Sequence, residues 1–334
     1  MTTNNSIQGL VNLASPKMGT KILAFSDDFF GEVTRMLNDK DPIFIEDKYD
    51  NHGKWMDGWE SKRRRDGGND WAILKLGSAG IISKIEIDTS YFTGNFPPFF
   101  SLEGIYSETE PNKDSNWKSL IAKTNLVGDC KNNFELNLKE KFNFVRLQIF
   151  PDGGVARIRL FGEVKYNWDE FNNEEIIEIS SLKLGGSILA YNNAHYGDVS
   201  ALLSEGRGQT MGDGWETRRR REPGNDWIII KLAHKGNIEK IEIDTAHFKG
   251  NYPDRASIQA ISIDKNITTK DLIQGSENWD VILDETKLTA DNIHEYEINS
   301  NSKAEATHIR LNIYPDGGVS RLRIFGKKLD DKQN

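Results

Sequence analysis

Residues 57–97 read DGWESKRRRDGGNDWAILKLGSAGIISKIEIDTSYFTGNFP, and residues 213–253 read DGWETRRRREPGNDWIIIKLAHKGNIEKIEIDTAHFKGNYP, identical at 26 of 41 positions. Within the first stretch, Ala72, Leu74 and Leu76 alternate with Trp71, Ile73 and Lys75, and Ile85 and Ile87 alternate with Glu86 and Asp88. A period of two built on β-branched and other apolar residues marks half-buried strands. Two further blocks recur in the same order. Residues 22–32, ILAFSDDFFGE, match residues 188–198, ILAYNNAHYGD, and residues 145–162 match residues 309–326 at 12 of 18 positions. Three blocks in one order, occurring twice, mean duplication of a whole domain; a short-period solenoid would show many more copies. The offset between copies drifts from 166 to 156 to 164, so insertions fall between blocks, where loops absorb them.

The expected domains are residues 1–165 and 178–334, joined through the Asn- and Glu-rich stretch at 165–181. No long amphipathic helix interrupts the strands. Many short antiparallel strands in about 165 residues predict an all-β fold of two tandem jelly-roll β-sandwiches. The run Asn-Asp-Trp, apolar strand, Gly, then Ile-x-x-Ile-x-Ile resembles the galactose-binding-like sandwiches. Pro151-Asp152-Gly153-Gly154, between two strands, reads as a hairpin turn.

Composition narrows the function classes. With 43 Lys plus Arg against 51 Asp plus Glu, the formal net charge is −8, which opposes non-specific nucleic-acid binding. Hydrophobic residues make up 37%, and nothing suggests a membrane span. Cys130 is the single cysteine, so no intrachain disulfide forms, and a reducing compartment is expected. Residues 1–19 are polar and lack the apolar run of a signal peptide, and the C-terminal Lys-Gln-Asn matches no common retention or peroxisomal signal. The cytoplasm is the expected location.

If strands 71–76 and 85–88 form an antiparallel hairpin, the loop before Trp71 and the loop after Asp88 lie at one end of the sandwich. The first loop carries Glu60, Arg63, Arg64, Arg65, Asn69 and Asp70; the second carries Thr89, Tyr91, Gly94, Asn95 and Pro97. The second copy repeats this with Glu216, Arg219, Arg220, Arg221, Asn225 and Asp226, facing Thr245, His247, Gly250, Asn251 and Pro253. Loop residues that match as well as strand residues need a reason. The arginine runs allow three: a nucleic-acid patch, which the acidic chain disfavours, a clamp on neighbouring carboxylates, or an anion pocket using the planar guanidinium fork. Asp88 and Asp244 at the strand ends are turn residues or a general base. The position of Arg157 and Arg321, facing the site or pairing on the sheet, stays open. Neither His195 nor His247 is duplicated, since Phe29 and Tyr91 stand opposite them, so no metal site is predicted, and a divalent metal stays open as a cofactor. The chain has no Walker-type phosphate loop and no Gly-x-Ser-x-Gly elbow.

The ordered series Asp-Gly-Trp-Glu-(Ser/Thr)-(Lys/Arg)-Arg-Arg-Arg, Gly-Asn-Asp-Trp, Ile-Glu-Ile-Asp-Thr-x-x-Phe-x-Gly-Asn-x-Pro and Pro-Asp-Gly-Gly-Val resembles the allantoicase family. The resemblance covers residues 19–326, in both halves. It implies two jelly-roll repeats and hydrolysis of allantoate to ureidoglycolate and urea in purine breakdown. It also implies a small ureide as the binding partner, rather than a nucleic acid or membrane, and a homo-oligomer. On that reading the arginines hold the substrate carboxylate, and Asn and Asp side chains meet its ureido groups. Asp244 or Glu216, with Asp88 and Glu60 as their first-half counterparts, is then the base, and His247 its acid–base partner. The competing reading is a carbohydrate- or protein-binding sandwich without catalysis, since fold alone does not fix function.

Overall fold

The computed structural model describes residues 9–263, 267–298 and 304–329. Residues 1–8 of the polar N-terminus and the C-terminal Lys332-Gln333-Asn334 lie outside the described residues. The chain divides into two compact units, one of residues 12–166 and one of residues 9–11 with the described part of the chain from Asn167 onward. Gly9 joins the latter by donating its N–H to the Ile188 carbonyl at 3.1 Å.

Each unit is a two-layer antiparallel sandwich built around one long strand. In the first, Asp70–Asp88 runs without a break for 19 residues. Its first part lies between Lys21–Phe25 and Phe142–Phe150, and the latter leads on to Phe99–Ile105 and Lys118–Asn125. Its last part lies between Arg157–Val164 and Lys131–Glu135. The second unit repeats this about Asp226–Asp244, flanked first by Ser187–Tyr191 and Glu305–Tyr314, then by Arg321–Lys328 and Ile293–Glu297. The alternation fills the space between the layers. Ala72, Leu74, Ile85 and Ile87 are fully buried together with Val145, Leu147, Ile149 and Leu160. Each such branched side chain contributes about 1.5–3 kcal/mol by leaving water. The outer face is covered too: Ile229 packs with Ala190, Leu272 and Trp279 under the short helix Thr269–Gly275, capped by the Thr268 hydroxyl.

Two local expectations change. Residues 71–76 and 85–88 are not two strands of a hairpin. They are one strand that leaves the first layer after Lys75, opposite Phe144, and enters the second from Gly80, opposite Val164. Gly80 is required at this crossing, because a Cβ there would stand 2.8 Å from both the Glu163 carbonyl and the Leu13 side chain. Nor do residues 151–154 form a hairpin turn. The strands on either side, Phe142–Phe150 and Arg157–Val164, pair with Asp70–Asp88 in different layers, so residues 151–156 arch from one layer to the other. The Phe150–Pro151 and Tyr314–Pro315 bonds at the start of each arch are cis. The arch still brings both ends of the long strand to one edge: Asp70 donates its N–H to the Pro151 carbonyl at 3.1 Å, and Ala156 donates to the Asp88 carbonyl at 2.8 Å.

Residues 172–176 are exposed and lie between the strands of the two repeats. Limited proteolysis is expected to nick there, or within residues 40–52, of which 43–49 are exposed, before any cut inside Asp70–Asp88 or Asp226–Asp244. Early fragments ending within either long strand would contradict the two-unit arrangement.

His308 is buried on the strand Glu305–Tyr314, opposite Lys231. Burial, with repulsion from Lys231, pushes its imidazole down to about 4. Its folded value lies below the unfolded one, so its contribution is complete above about 6.5 and is lost as pH falls through about 4. Denaturant titrations should show stability falling by up to about 3 kcal/mol over that window, at 1.36 kcal/mol per unit. In His308→Gln that part of the acid slope should vanish; an unchanged slope would place the titration elsewhere.

Candidate functional site

At the edge where the long strand's ends meet, each unit assembles the same frame. Trp59, fully buried, donates its indole N–H to the Asp27 carbonyl at 2.8 Å, and Trp215 does the same to Asn193. These anchors fix the next residue, Glu60 or Glu216. The Glu60 carboxylate accepts a hydrogen bond from Asn95 Nδ2 at 2.7 Å, and Glu216 accepts one from Asn251 Nδ2. The asparagine is placed in turn by its own carbonyl, which accepts the N–H of Gly154 at 2.7 Å or Gly318 at 2.8 Å. Gly153 and Gly317 take φ of 139° and 141°, in the region that favours glycine, so the arch passes close under the asparagine. Burial pushes the Glu60 carboxyl above its usual range, partly offset by the Asn95 hydrogen bond.

The arginine runs divide by position. Arg64 Nη1 donates to Asp70 Oδ1 at 2.7 Å and its Nε and Nη2 grip Asp66, while its backbone N–H reaches Asp152 at 2.8 Å. Hydrogen bonds to Asp66 and Asp70 hold this guanidinium more firmly protonated than usual, and Asp66 correspondingly well below the carboxylate range. Arg220 repeats the clamp on Asp226 at 2.9 Å and on Asp316 through its N–H at 2.8 Å. Asp70 and Asp226 are buried and serve this clamp. Asn69 and Asn225 brace the adjoining strand, reaching Gln148 at 3.2 Å and Asn312 at 3.3 Å. Arg157 and Arg321 neither face the site nor sit on the sheet surface. They are buried, binding the Asp57 and Asp213 carboxylates at 2.7 and 2.9 Å. By contrast Arg63, Arg65, Arg219 and Arg221 make no hydrogen bond or ion pair among the described residues.

In the second unit this frame lines a pocket of about 490 Å³. Glu216, Arg219 and Asn251 contribute to its wall, together with His195, Tyr196, Arg218, Tyr252, Asp254 and Asp316. Asp244 and His247 do not line it. Asp244 is buried; its Oδ1 accepts the Ala246 N–H at 2.8 Å and its Oδ2 lies 3.3 Å from Arg207. His247 Nε2 is 2.7 Å from the Gly208 carbonyl, and its backbone holds a positive φ of 69° with its N–H on Asp291. Asp88 is likewise buried, with Oδ1 on the Ser90 N–H. His195, Tyr196, Tyr252 and Asp254 were not singled out from sequence as site residues. The available signal was that the surrounding blocks match between halves while these positions differ. Among the described residues, no group of three or more His, Cys, Asp or Glu is arranged to hold a metal ion, and no helix is long and apolar enough to cross a membrane.

A buried-edge carboxylate, a free guanidinium and several hydroxyl and amide groups around a small pocket suit a compact anionic substrate with N–H and C=O groups. Comparison with known proteins agrees. The allantoicase repeat model matches residues 11–165 and again residues 177–329. A protein of Burkholderia mallei (strain ATCC 23344) named probable allantoicase 1 is 47% identical over 317 residues, covering 95% of this chain and 94% of its own. One from Photobacterium profundum, named probable allantoicase, is 45% identical, covering 95% and 96%. The crystal structure of allantoicase from Saccharomyces cerevisiae matches with a TM-score of 0.82 and 34% identity, over 96% of this chain and 94% of that one. Both halves carry the repeat, and the chain belongs to the allantoicase family.

Proposed function

We propose that the chain hydrolyses allantoate to ureidoglycolate and urea, a step of allantoin and purine degradation, in the pocket of the second unit. We further propose that it works in the cytoplasm as a homo-oligomer. The observation that carries the site assignment is the convergence of Glu216, Asn251 and the unpaired Arg219 on one pocket. Allantoate carries one carboxylate and two ureido groups on a single carbon. Arg219 offers a planar fork to that carboxylate. Tyr252, Asp254 and Asn251 offer donors and acceptors to the ureido groups.

Glu216 serves as the base. One carboxylate oxygen is oriented by Asn251, leaving the other for water. As the water oxygen bonds to the central carbon, its proton passes to Glu216. As the carbon–nitrogen bond breaks, the His195 imidazole gives a proton to the departing nitrogen and urea leaves neutral; the proton taken up by Glu216 then returns to His195. The balance is the same whether water adds before or after urea departs. These steps use side chains of this chain alone. Asp244 and His247, buried or tied to backbone, hold the loop beside the pocket in this reading.

Purified protein should release urea from allantoate, and Glu216→Gln should lower kcat by about 10²–10⁴ with little change in Tm. Retention of more than about a tenth of wild-type kcat in that variant would remove Glu216 from the chemistry. The two neighbouring arginines should separate cleanly. Arg219→Ala should raise KM with little loss of stability, because its guanidinium supports nothing in the fold. Arg220→Ala should cost about 3–5 kcal/mol, because it leaves Asp226 buried without its cation. Equal thermal shifts in the two variants would contradict this division.

A further inference from the structure

We infer that the first unit holds a second site for the same class of small ureido carboxylate, one that binds the ligand without hydrolysing it; this rests on the reading of the second-unit pocket given above. The frame around the glutamate recurs in its backbone bonds. Gly153 donates its N–H to Ser61 Oγ at 3.2 Å, as Gly317 does to Thr217 Oγ1 at 3.1 Å. Phe30 donates its N–H to the Glu60 carbonyl at 3.0 Å, as Tyr196 does to that of Glu216 at 3.3 Å. Arg63 stands at the position of Arg219 and is equally unpaired among the described residues.

The Glu60–Asn95 hydrogen bond is exposed and lies outside the buried core of the first unit. A half-buried carboxylate given a single neutral amide partner costs free energy, since one amide replaces only part of the hydration it loses. Burial does raise the Glu60 carboxyl above its usual range. The core of the first unit is complete without it, and the clamps on Asp70 and Asp57 already tie down its loop. A cost of this kind, set beside the unpaired Arg63 guanidinium, is offset when a ligand supplies the missing donors.

The wall around the cradle is what differs. His195, Tyr196, Tyr252 and Asp254 of the pocket align with Phe29, Phe30, Phe96 and Pro98. Every exchange removes a group able to donate or accept a proton. Phe29 and Phe30 are 60% and 40% exposed, an open apolar rim where the second unit has imidazole and phenol. The first cradle therefore keeps the carboxylate, amide and guanidinium that hold an anionic ureide. It lacks the four proton-donating or proton-accepting wall groups of the second pocket, and the His52 imidazole beside Phe29 is tied to that residue's carbonyl at 2.9 Å.

The test uses the full chain with the second pocket disabled, Glu216→Gln with Arg219→Ala, titrated calorimetrically with allantoate. One saturable site per chain and no urea are expected, and adding Glu60→Gln and Arg63→Ala should abolish the binding. Absence of saturable heat in the double variant, at a wild-type Tm, overturns the inference. Urea release by it above about a hundredth of the wild-type rate overturns the claim that the first cradle is silent. Should that variant fold poorly, ureidoglycolate titrated into wild type and into Glu60→Gln/Arg63→Ala reads the same question. Two sites falling to one supports the inference, and an unchanged count overturns it. Wild-type urea release is measured separately, so failure of the enzymatic reading is distinguishable from failure of this one.

Discussion

A strand of 19 residues would extend about 60 Å if straight, at roughly 3.3 Å per residue, well beyond the span of one sandwich layer. Asp70–Asp88 and Asp226–Asp244 must therefore fold over, and each does so at the segment before Gly80 or Gly236. The remaining architecture depends on that crossing. It makes one strand the hydrogen-bonding spine of both layers, and it returns the strand's end to the edge where it began. The Asp at the start and the Asp at the end then lie on either side of one arch, which accepts a hydrogen bond from the first and donates one to the second. A site at this edge draws on the loop before the strand, the loop after it and the arch, three segments far apart in sequence.

Charge is sorted at that edge by burial. Arg64, Arg220, Arg157 and Arg321 meet buried or half-buried aspartates, and removing either partner would strand a charge away from water, at about 3–5 kcal/mol. Such pairs set the loop's shape. Arg63 and Arg219 project from the same loop into solvent, where an ion pair would add about 0–1 kcal/mol. Leaving them unpaired costs little and keeps a guanidinium fork free for a ligand. Adjacent residues of one arginine run thus serve opposite purposes, Arg64 and Arg220 meeting a buried aspartate and Arg63 and Arg219 meeting none among the described residues.

Periodicity and repetition made the fold class legible, because the period-two pattern and the duplicated blocks are direct consequences of half-buried strands. The crossing was not legible: a glycine between two apolar runs reads equally as a turn or as a bend within one strand, and only the pairing partners decide. The inferred edge of the sandwich was nevertheless right, since a hairpin and a folded-over strand both bring Asp70 near Asp88. Within the loops, the Glu60 and Arg63 positions could be named from their repetition, but repetition could not separate Arg63 from Arg64. That distinction lies in side-chain direction and in which aspartates are buried. Both His247 and His195 stand out in the sequence as titratable residues without a counterpart; the acid–base role was expected of His247, and His195 is the one that lines the pocket.

The two halves have diverged unevenly, and the unevenness follows from what each position supports. Residues that hold the frame, such as Trp59 and Trp215, Arg64 and Arg220, or Gly153 and Gly317, are identical because each satisfies buried polar groups or a positive φ that few residues tolerate. The wall side chains are held only at the surface: the Asp254 carboxylate meets the exposed Arg255 and Lys287 at 3.1 and 3.7 Å, and His195 packs edge-on against Tyr196, so losing these side chains carries little folding penalty. Glu60 and Glu216 fall between these groups: neither supports the core, and in the first unit burial works against the charge. In both copies the glutamate keeps the same asparagine partner beside an unpaired guanidinium, an arrangement that lies outside the core and suits recognition of an anion.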